Sequence, residues 1–539
     1  MKTMEEWVLT RLKQNYKGKL HTDESTRQAA STDASIFKVV PSVVAVPEDV
    51  EDLKTLVRNV SALASEGQQI SVTPRAAGTC MSGGPLSESI VVDMKPYFSW
   101  VGDINVKEKS VWVGAGTYHR DVEAATAQHK LLFAPYTSSK DLCVIGGMVG
   151  NNASGEKSIR YGATVDNVMA VTMIAADGNE YEFGSIGAEL FAEKIKQDNL
   201  EGHIYRELDK MIEDNWDLLQ QSRPKVRKNA AGYQLWRIVN KNQDDFNIAK
   251  LIVGAQGTLG IVTSVKLRLI DKYDHRRMLL IPINDLSQLA AAVQTVLAHH
   301  PEGLETYDHH TYELAEMYMP DEARLASISK GQHLVLMAQF IEHTKDQTDH
   351  YADVCKKALE RKKFKVHTVT KDTEAEAHWR IRRASFKMLM EHPHKGLRAV
   401  PFIEDTIVSV DHYGEFLAAL EAILSDYNMV YTYAGHIGDG SIRLIPLVNL
   451  EAPDAADKVF ELAKRTYDLT FAFGGSMSVD HNDGLIRTPF LPRMYGDEIM
   501  ELFADTKYLF DPLNIFNPGK KVGMTEGYAK AHMIRTNKA

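Results

Sequence analysis

The chain has 539 residues, of which 44% are hydrophobic and 25% charged, and its net charge is −10. This length exceeds what one hydrophobic core usually organises, so we expect about two or three domains. The acidic balance excludes nucleic-acid binding as the main function, because a nucleic-acid-binding surface needs a basic face.

The first segment, residues 1–36, is polar and of mixed charge, and it predicts a short helix followed by an irregular lead-in. Its first residues are acidic and lack the apolar core of a signal peptide. No apolar run in the chain approaches the roughly 20 residues that span a bilayer. We therefore expect a cytoplasmic protein, with peripheral association to the inner face of the membrane as the alternative.

From Pro41 onward, short strands alternate with helices. Residues 42–46 predict a strand, and a helix begins at Pro47 and extends to about residue 64. Residues 69–73 predict a second strand, and a glycine-rich run, residues 74–84, follows it directly. Ligands of α/β folds bind at the carboxyl ends of strands, so this run is a candidate binding loop.

A second glycine-rich loop is predicted at residues 145–155. Strands at 89–94 and 110–113 and a helix over about 117–129 precede it. Small residues let backbone N–H groups crowd around a doubly charged pyrophosphate, and they permit positive φ angles. One such run is more often only a turn. Two runs in order, each after an apolar stretch, favour a bound dinucleotide.

The first part of the chain closes with two features that predict β-structure. A hairpin over residues 168–183 turns at Asp177-Gly178-Asn179, and a third glycine segment, residues 254–262, leads to a strand at 265–269. The glycine pattern does not match a classical nicotinamide-dinucleotide-binding fold, which needs G-x-G-x-x-G and an acidic residue about 20 positions later. Neither of the first two runs has that spacing.

From about residue 272 the glycines become fewer and the predicted helices and strands longer, which indicates a separate α+β domain. Residues 334–340 predict a strand of this domain. A helix is predicted over residues 497–510, where Asp511-Pro512 stops it. Beyond Val522 we expect a loosely held tail.

These segments, from about Pro41 to Lys520, resemble in their order the flavoproteins that share the FAD domain of p-cresol methylhydroxylase and vanillyl-alcohol oxidase. The branch resembled is that of D-lactate dehydrogenase, the glycolate oxidase large subunit and D-2-hydroxyglutarate dehydrogenase. The resemblance implies an α+β fold. After the lead-in, it has a two-subdomain FAD-binding domain (37–271), an antiparallel-sheet α+β cap or substrate domain (272–495), and a C-terminal helical segment with a tail (496–539).

In that family both glycine runs wrap the FAD pyrophosphate, and later segments complete the site. The residues that the resemblance assigns to FAD are Pro74, Arg75, Ala76, Gly78, Thr79, Cys80, Ser82, Gly83, Thr137, Ser138, Gly146, Gly147, Asn151, Asn152, Ser154, Gly155, Arg160, Tyr161, Gly162, Gly260, Ile261, Val262 and Asn517. In relatives with a covalent flavin, a histidine often lies in the first run. This run has none, so we expect dissociable FAD.

Substrate chemistry is expected in the second domain. The sequence from Trp379 to Arg382 is similar to the family's W-x-x-R, whose arginine binds the substrate carboxylate, and this assigns the role to Arg382. His481 corresponds to the catalytic base of the family's G-E-H-G motif. The remaining basic residues of this region are typical of a solvated helix face; they are Lys387, His392, His394, Lys395 and Arg398.

The sequence departs most from the family pattern at the positions of the family's metal ligands. Residues 435–443 are similar to G-H-x-G-D-G-N-x-H, in which both histidines bind a divalent metal, but only His436 is kept. Arg443 replaces the second histidine and has no lone pair to donate, and Asp480 replaces a metal-binding glutamate. Either Zn or Mn binds at His436 and Asp480, or the site is metal-free and Arg443 stabilises the alkoxide or binds the carboxylate.

The resemblance implies a FAD-dependent dehydrogenase that oxidises a D-2-hydroxy acid, such as lactate, 2-hydroxyglutarate or glycolate, by hydride transfer to flavin N5. A separate quinone, cytochrome or electron-transfer flavoprotein would take the electrons. Cys80, Cys143 and Cys355 are too scattered to ligate an iron–sulfur cluster. The alternatives are an oxygen-using oxidase of the same fold and a flavin-binding subunit with a decayed active site. A homodimer is allowed for.

Overall fold

The computed structural model describes residues 4–240, 245–392, 396–427 and 429–535. In these ranges the chain forms three β-sheets flanked by helices. The predicted α+β class is confirmed. Of the helices in these ranges, none combines the length and the apolar character needed to cross a lipid bilayer.

The first sheet is small and mostly parallel. Its strand order is β1-β2-β4-β3, with β1 antiparallel to β2 at the edge. The elements are β1 Lys19–His21, β2 Val43–Val46, β3 Val72–Arg75, β4 Ile90–Asp93, α1 Glu6–Leu12, α2 Glu24–Ala29 and α3 Val50–Ser65. In α3, Leu53, Val57 and Val60 recur at helical spacing and are fully buried. Because β3 ends at Arg75, the first glycine-rich run begins at the carboxyl end of a strand.

The second sheet is antiparallel and runs in the order β5-β11-β7-β8-β10-β9, with β6 on β11. Its strands are β5 Ser110–Gly114, β6 Leu131–Phe133, β7 Val168–Ile174, β8 Glu180–Ile186, β9 Val239–Asn240, β10 Asp245–Asn247 and β11 Ile261–Asp271. Its helices are α4 His119–Ala127, α5 Ile145–Asn151, α6 Ser158–Tyr161, α7 Thr164–Asn167, α8 Ala188–Lys194, α9 Leu200–Asp214, α10 Trp216–Ser222 and α11 Ala249–Ile252. The predicted hairpin at Asp177-Gly178-Asn179 connects β7 to β8.

The third sheet is also antiparallel, in the order β15-β12-β14-β13-β18-β19-β16, with β17 on β19. Its strands are β12 Arg276–Ile283, β13 Gly303–Asp308, β14 Leu334–Ile341, β15 His367–Val369, β16 Arg398–Ala399, β17 Thr406–Ile407, β18 Tyr431–Gly435 and β19 Ser441–Val448. Its helices are α12 Leu289–Leu297, α13 His309–Tyr318, α14 Pro320–Leu325, α15 Lys345–Arg361, α16 Asp372–Glu391, α17 Tyr413–Asp426 and α18 Ala455–Ala472. Every residue of β14 is buried, so both faces of the sheet are covered there.

The last helices pack against α9 and α10 beside the second sheet and against α18 beside the third. They are α19 Gly484–Arg487, α20 Leu491–Tyr495, α21 Asp497–Phe510 and α22 Glu526–Ala531, and α21 has the predicted bounds. The expectation of a loose tail beyond Val522 is wrong as far as residue 535. Met533 is buried, the Lys38 amide donates to the His532 carbonyl at 2.9 Å, and the Ile534 amide donates to the Ile36 carbonyl at 2.8 Å. These backbone bonds fix the segment against the N-terminal lead-in.

Candidate functional site

A large cavity lies where the first two sheets meet the loop of residues 476–483. Its volume is about 1400 Å³, the solvent at its mouth included. The first glycine-rich run, α5, the start of β11 and the loop at His481 form its walls. The cavity is a concave site formed by several separate segments of the chain, which is typical of a ligand-binding site.

The first glycine-rich run forms a loop on the cavity wall. Gly78 and Gly83 have φ angles of +72° and +81°, in the left-handed region that favours glycine. In the described ranges, the amides of Ala77, Gly78 and Thr79 have no hydrogen-bond acceptor. Consecutive free amides in a loop form an anion-binding concavity. The loop therefore has the donors that a pyrophosphate needs.

The second glycine-rich run, residues 145–155, was predicted as a loop, but its first seven residues form helix α5. The amides of Gly146 and Gly147 already donate to the carbonyls of Ala115 and Val144, at 2.8 and 2.9 Å. A Cβ at Gly146 would lie 2.6 Å from the Ala115 oxygen, and a Cβ at Gly147 would lie 3.1 Å from the Ala76 Cβ. Close packing therefore outweighs the low helix propensity of glycine here. These glycines bring the helix close to the first run instead of supplying free donors.

Most residues that the resemblance assigns to FAD line the cavity, but nine of them do not. Those on the wall are Pro74, Arg75, Ala76, Gly78, Thr79, Cys80, Thr137, Ser138, Gly146, Gly147, Asn151, Ser154, Gly260 and Val262. Those that do not line it are Ser82, Gly83, Asn152, Gly155, Arg160, Tyr161, Gly162, Ile261 and Asn517. Of these, Gly162 lines a separate cavity, and Arg160 binds the Ile341 carbonyl and Glu342 beside the third sheet, so these two were expected at the cofactor but lie away from this cavity. Others among the nine support the wall. Ser82 Oγ donates to the His481 carbonyl at 2.8 Å, and Asn517 Nδ2 donates to the Gln256 carbonyl at 2.7 Å.

Gln256 is a cavity residue that sequence reasoning missed. It has a φ of +53°, its Nε2 donates to Asn151 Oδ1 at 3.2 Å, and its Oε1 accepts from the Gly484 amide at 2.9 Å. The side chain therefore links α5 to α19 across the end of the cavity. The glycines around it in the third glycine segment were the only signal of this position.

The Cys80 thiol lies on the wall near Ser82, with Sγ and Oγ 3.1 Å apart. Burial and the charge of Asp33 raise the pKa of this thiol. A protonated, buried thiol is inert. This agrees with the interpretation of Cys80 as a small side chain in the first run.

The substitution Gly78→Ala is expected to weaken FAD binding by about tenfold or more, equivalent to about 1.4 kcal/mol. The new Cβ would lie 2.4 Å from Arg75 Nη2 on the cavity wall. Gly331→Ala is the matched control, because Gly331 has a φ of +71° and no neighbour within 4 Å of an added Cβ. Released FAD per chain and titration of the apoprotein with FAD measure the effect. Equal affinity in both variants would argue against a cofactor at the first run.

His481 lies on the cavity wall with one ring nitrogen held by a carboxylate. Its Nδ1 is 2.9 Å from Glu404 Oε1, and Arg487 Nη2 donates to the same oxygen at 2.7 Å. Glu404 and Arg487 are almost completely buried, whereas 13% of the His481 side chain is exposed. A carboxylate at Nδ1 keeps the proton there and leaves Nε2 as the free base. The imidazole is therefore oriented for proton transfer at Nε2.

The loop that holds His481 is fixed by a second carboxylate, Asp405. Its oxygens accept the backbone amides of Val479, Asp480 and His481 at 2.8 to 3.1 Å. Three successive amides on one buried carboxylate restrict the loop strongly. The pair Glu404-Asp405 thus positions both the backbone and the ring of His481.

Glu404→Gln is expected to lower the melting temperature at neutral pH, and the difference from wild type should narrow in acid. Burial alone would raise the pKa of Glu404, but Arg487 and the His481 hydrogen bond outweigh it and lower the pKa from 4.5 to about 2. A carboxyl group whose pKa is lower in the folded state stabilises that state at pH values above its ordinary pKa. This contribution is lost as the pH falls towards the folded-state pKa. Thermal unfolding at several pH values below about 4.5 measures this.

The control for that series is Asp468→Asn, which removes a half-exposed partner of Arg493. Exposed ion pairs contribute little, about 0–1 kcal/mol. The melting temperature of Asp468→Asn should therefore stay close to that of wild type at every pH of the series. If Glu404→Gln lowers the melting temperature by the same amount at neutral and acid pH, the assignment of an ion pair between Glu404 and Arg487 is contradicted.

Next to His481, Asp480 is surrounded by cationic and hydroxyl groups. Arg443 Nη2 donates to its Oδ2 at 2.6 Å, and Ser154 Oγ donates to its Oδ1. Lys228 Nζ lies 3.5 Å from Oδ1, and His436 Nε2 lies 3.3 Å from Oδ2. Burial alone would raise the pKa of Asp480, but the charge of Lys228 and the contacts with His436 and Arg443 hold it well below its usual range.

Behind this carboxylate, Glu305 and Asp439 continue the buried network. Glu305 binds His436 Nδ1 at 2.7 Å and Arg382 Nη2 at 2.8 Å, and all three side chains are at most 4% exposed. Lys228 Nζ is 3.1 Å from Asp439 Oδ2. Burial alone would lower the pKa of Lys228, but Asp439 and Asp480 raise it above its ordinary value. Lys228 and Glu305 were not identified from the sequence.

The predicted catalytic and metal residues therefore converge, with one difference. His481, Arg443 and Asp480 lie on the cavity wall, and His436 is in contact with Asp480 behind it. Arg382 also lies behind the wall, bound to Glu305. Of the basic cluster around it, His394 and Lys395 lie outside the described residues, and Lys387 pairs with Glu391 on the surface of α16.

The residues at His436 and Asp480 do not fit a divalent metal. Both ring nitrogens of His436 face carboxylates, and both oxygens of Asp480 already accept hydrogen bonds. Across the described ranges, no group of three His, Cys, Asp or Glu side chains is arranged to hold a metal ion. Arg443 and Lys228 place positive charge where a cation would have to enter.

Two families match the chain in sequence. Residues 41–184 match the family described as FAD binding domain, and residues 272–521 match the family described as FAD linked oxidases, C-terminal domain. The first match covers most of the first sheet and the start of the second. The second match covers the third sheet and the C-terminal helices through α21.

Curated relatives align over most of the chain. D-2-hydroxyglutarate dehydrogenase of Pseudomonas putida is 27% identical over an alignment of 536 positions, which covers 95% of this chain and 51% of that protein. The glycolate oxidase subunit GlcD of Bacillus subtilis is 23% identical, and the alignment covers 90% of this chain and 89% of that protein. D-lactate dehydrogenase of Archaeoglobus fulgidus is also 23% identical, and the alignment covers 89% of this chain and 91% of that protein. The chain thus spans about half the length of the D-2-hydroxyglutarate dehydrogenases that it matches.

Solved structures share the fold at low sequence identity. A 4-ethylphenol oxidase from Gulosibacter chungangensis superimposes with a TM-score of 0.69 at 15% identity, over 97% of both chains. An alkyldihydroxyacetonephosphate synthase superimposes with a TM-score of 0.66 at 14% identity, over 96% of this chain and 86% of that chain. At these identities the likeness concerns the fold alone.

Proposed function

Because the chain belongs to the FAD-linked oxidoreductases in which a FAD binding domain precedes a FAD-linked oxidase C-terminal domain, we propose that it oxidises a D-2-hydroxy acid to the 2-oxo acid. One observation carries the proposal: His481 and Arg443 lie on the wall of the cavity that the glycine-rich runs line. A hydroxy acid needs a base for its hydroxyl proton and a cation for its carboxylate. These two side chains supply both.

The cavity wall fits FAD held without a covalent bond. The free amides of Ala77, Gly78 and Thr79 would bind the pyrophosphate, and the first run has no histidine for flavin attachment. When bound, FAD supplies the acceptor for the hydride that leaves the substrate carbon. The end of the cavity at Asp480 and His481 would then receive the substrate.

His481 is proposed to act as the base at Nε2. It takes the hydroxyl proton while the hydrogen on the same carbon leaves with the electron pair of its bond, and the C–O single bond becomes a carbonyl. Two electrons and one hydrogen nucleus leave as hydride, and one proton remains on His481. Glu404, bound to Nδ1 at 2.9 Å, stabilises the imidazolium that forms.

Arg443 is proposed to hold the carboxylate of the acid. Its Nη2 is bound to Asp480, and its buried Nε has no hydrogen-bond partner in the described part of the chain. An arginine fork binds a carboxylate by two parallel hydrogen bonds, which also orients it. Arg382, assigned to the carboxylate by the resemblance, would act from behind the wall through Glu305 and His436.

The identity of the acid and of the acceptor are part of the proposal. The named relatives act on 2-hydroxyglutarate, glycolate or lactate by their names, and we propose an acid of this class. Reduced FAD would pass its electrons to a separate quinone, cytochrome or electron-transfer flavoprotein. The three cysteines are buried free thiols, so they form no redox disulfide.

Anaerobic titration of the FAD-loaded protein tests this function. The panel contains D-lactate, D-2-hydroxyglutarate and glycolate, with the L-enantiomers of the two chiral acids as controls. We expect at least one acid of the panel to bleach the flavin and to yield one 2-oxo acid per flavin reduced, and the L-enantiomers to react slowly. A flavin that dithionite reduces but no 2-hydroxy acid of a wide panel reduces would refute the proposal.

A further inference from the structure

We infer that Lys228 and Arg443 form an internal cationic centre, clamped on Asp480, that takes the place of a divalent metal beside the base. The catalytic part of this inference rests on the proposed function, whereas its metal-free part does not. Arg443 faces the cavity, and Lys228 lies behind Asp480. The centre is therefore built from side chains on three separate segments of the chain.

Lys228 is held by four oxygen atoms in the protein interior. Its Nζ lies 2.8 Å from Ser154 Oγ, 3.1 Å from Ser158 Oγ, 3.1 Å from Asp439 Oδ2 and 3.5 Å from Asp480 Oδ1, and the side chain is 4% exposed. An ammonium has three donors, and all of them have acceptors here. Fixed by the serines and Asp439, this charge cannot swing into the cavity. Lys228 is thus a positioning residue that acts through Asp480.

Arg443 brings the second charge to the cavity. The residue lies on β19 opposite Ala434 of β18, next to the turn that carries His436. Its guanidinium binds Asp480 Oδ2 at 2.6 Å, and 16% of the side chain remains exposed. Asp480 therefore joins the cation of the cavity wall to the cation behind it.

The carboxylates that bind the two cations already have cationic partners without a metal. In the described ranges, these ion pairs join the buried Lys228 and Arg382 and the partly exposed Arg443 to three carboxylates, Glu305, Asp439 and Asp480. The half-exposed Arg227 adds a weaker contact, 3.7 Å from Asp439. A divalent ion would place two uncompensated charges in this interior, which is unfavourable.

The chemical consequence concerns how the acid is bound. A metal ion accepts oxygen ligands from several directions, whereas a guanidinium donates in one plane. The substrate is therefore expected to present a carboxylate with its 2-hydroxyl oxygen on the same side, in the plane of the Arg443 fork. Simple alcohols without a carboxylate would lack the anchoring charge and should be poor substrates.

Elemental analysis tests the metal-free part without any turnover. The FAD-loaded protein is incubated with Zn²⁺ or Mn²⁺, desalted and analysed. We expect far less than one equivalent of either metal. The double variant Arg443→His/Lys228→Met removes both charges and restores the second imidazole, and it should retain close to one equivalent of Zn²⁺. One equivalent of metal in wild type that His436→Ala abolishes would overturn the inference.

Oxalate binding tests the role of the centre in holding the ligand. Oxalate has a carboxylate and a second anionic oxygen at the position of the substrate hydroxyl, and its binding is followed by the flavin spectrum. Lys228→Met should weaken oxalate binding about tenfold, and Lys228→Arg should restore part of it. Lys507→Met is the matched control, because Lys507 is a buried lysine paired with Asp511 away from Asp480.

The two outcomes separate the inference from the proposed function. If no hydroxy acid reduces the flavin but wild type still excludes metal and Lys228→Met still weakens oxalate binding, the cationic centre stands and the proposed reaction falls. If Lys228→Met and Lys507→Met bind oxalate as tightly as wild type, while both retain FAD, Lys228 is only a structural residue. That result would contradict its role in the centre.

Discussion

Flavin reduction by the hydroxy acid is expected to slow by about 10²–10⁴-fold in the variant His481→Gln, the range for loss of a general base. The variant should still bind FAD, because the glutamine side chain can keep the hydrogen bond to Glu404 and the backbone of residue 481 stays on Asp405. Anaerobic rapid mixing measures the rate of bleaching directly. FAD content per chain is measured on the same sample.

His378→Gln is the matched control for this variant. His378 is a buried histidine bound to Tyr307 at 2.7 Å in the third-sheet region, and it does not line the cavity. Its replacement should lower stability but leave the rate of flavin reduction within a small factor of wild type. If His481→Gln reduces the flavin at the wild-type rate, His481 is not the base and the mechanism must be revised.

Arg443→Met is expected to lower kcat/KM for the acid by about 10²–10³-fold. Truncating one partner of a buried charge pair commonly costs about 2–5 kcal/mol, because the other charge is left unpaired. Here the loss removes the carboxylate fork and also leaves Asp480 with a weaker counter-charge. Arg443→Lys keeps the charge but not the planar fork, so its kcat/KM should lie between those of wild type and Arg443→Met.

Arg493→Met serves as the control, since Arg493 forms a half-exposed pair with Asp468 remote from the cavity. Steady-state kinetics with the reactive acid and an artificial acceptor separate kcat from KM. We expect a large rise in KM for Arg443→Met, because the binding energy of the substrate carboxylate is lost. An unchanged kcat/KM would mean that another group holds the carboxylate.

Much of the fold could be predicted because its signals are local in sequence. The strand before the first glycine-rich run, the hairpin at Asp177-Gly178-Asn179 and the helix over residues 497–510 each depend on neighbouring residues. The second glycine-rich run was predicted less well. Its glycines suggested a loop, but contacts with Ala115 and Ala76 hold it as a helix. Tertiary packing decided this element, and sequence propensity could not show it.

The site was predicted only where a motif carried it. His481, Asp480, His436 and Arg443 stand in two glycine-containing motifs, and the fold brings them together. Lys228 was missed because it lies next to Arg223, Lys225 and Arg227 in the sequence, and such a basic stretch is typical of an exposed segment. Its partner Asp480 is 252 residues away, so burial of this one lysine depends on a long-range contact.

Glu404 and Asp405 were missed for a related reason. They follow Phe402 and Ile403 and precede β17, so the sequence offers two carboxylates beside a short apolar stretch and no recurring motif. Their roles depend on the loop of residues 476–483, which approaches them only in the folded chain. His481 could be identified from its motif, but Glu404 and Asp405, which orient its ring and its backbone, could not.

In the proposed reaction, hydride leaves the carbon that bears the hydroxyl while His481 takes the hydroxyl proton. Single-turnover flavin bleaching with the reactive acid, compared with the same acid deuterated at C2, tests it most directly. We expect slower bleaching with the deuterated acid, together with nearly complete loss of bleaching in His481→Gln. Equal rates for both acids in wild type, with His481→Gln as fast as wild type, would contradict it.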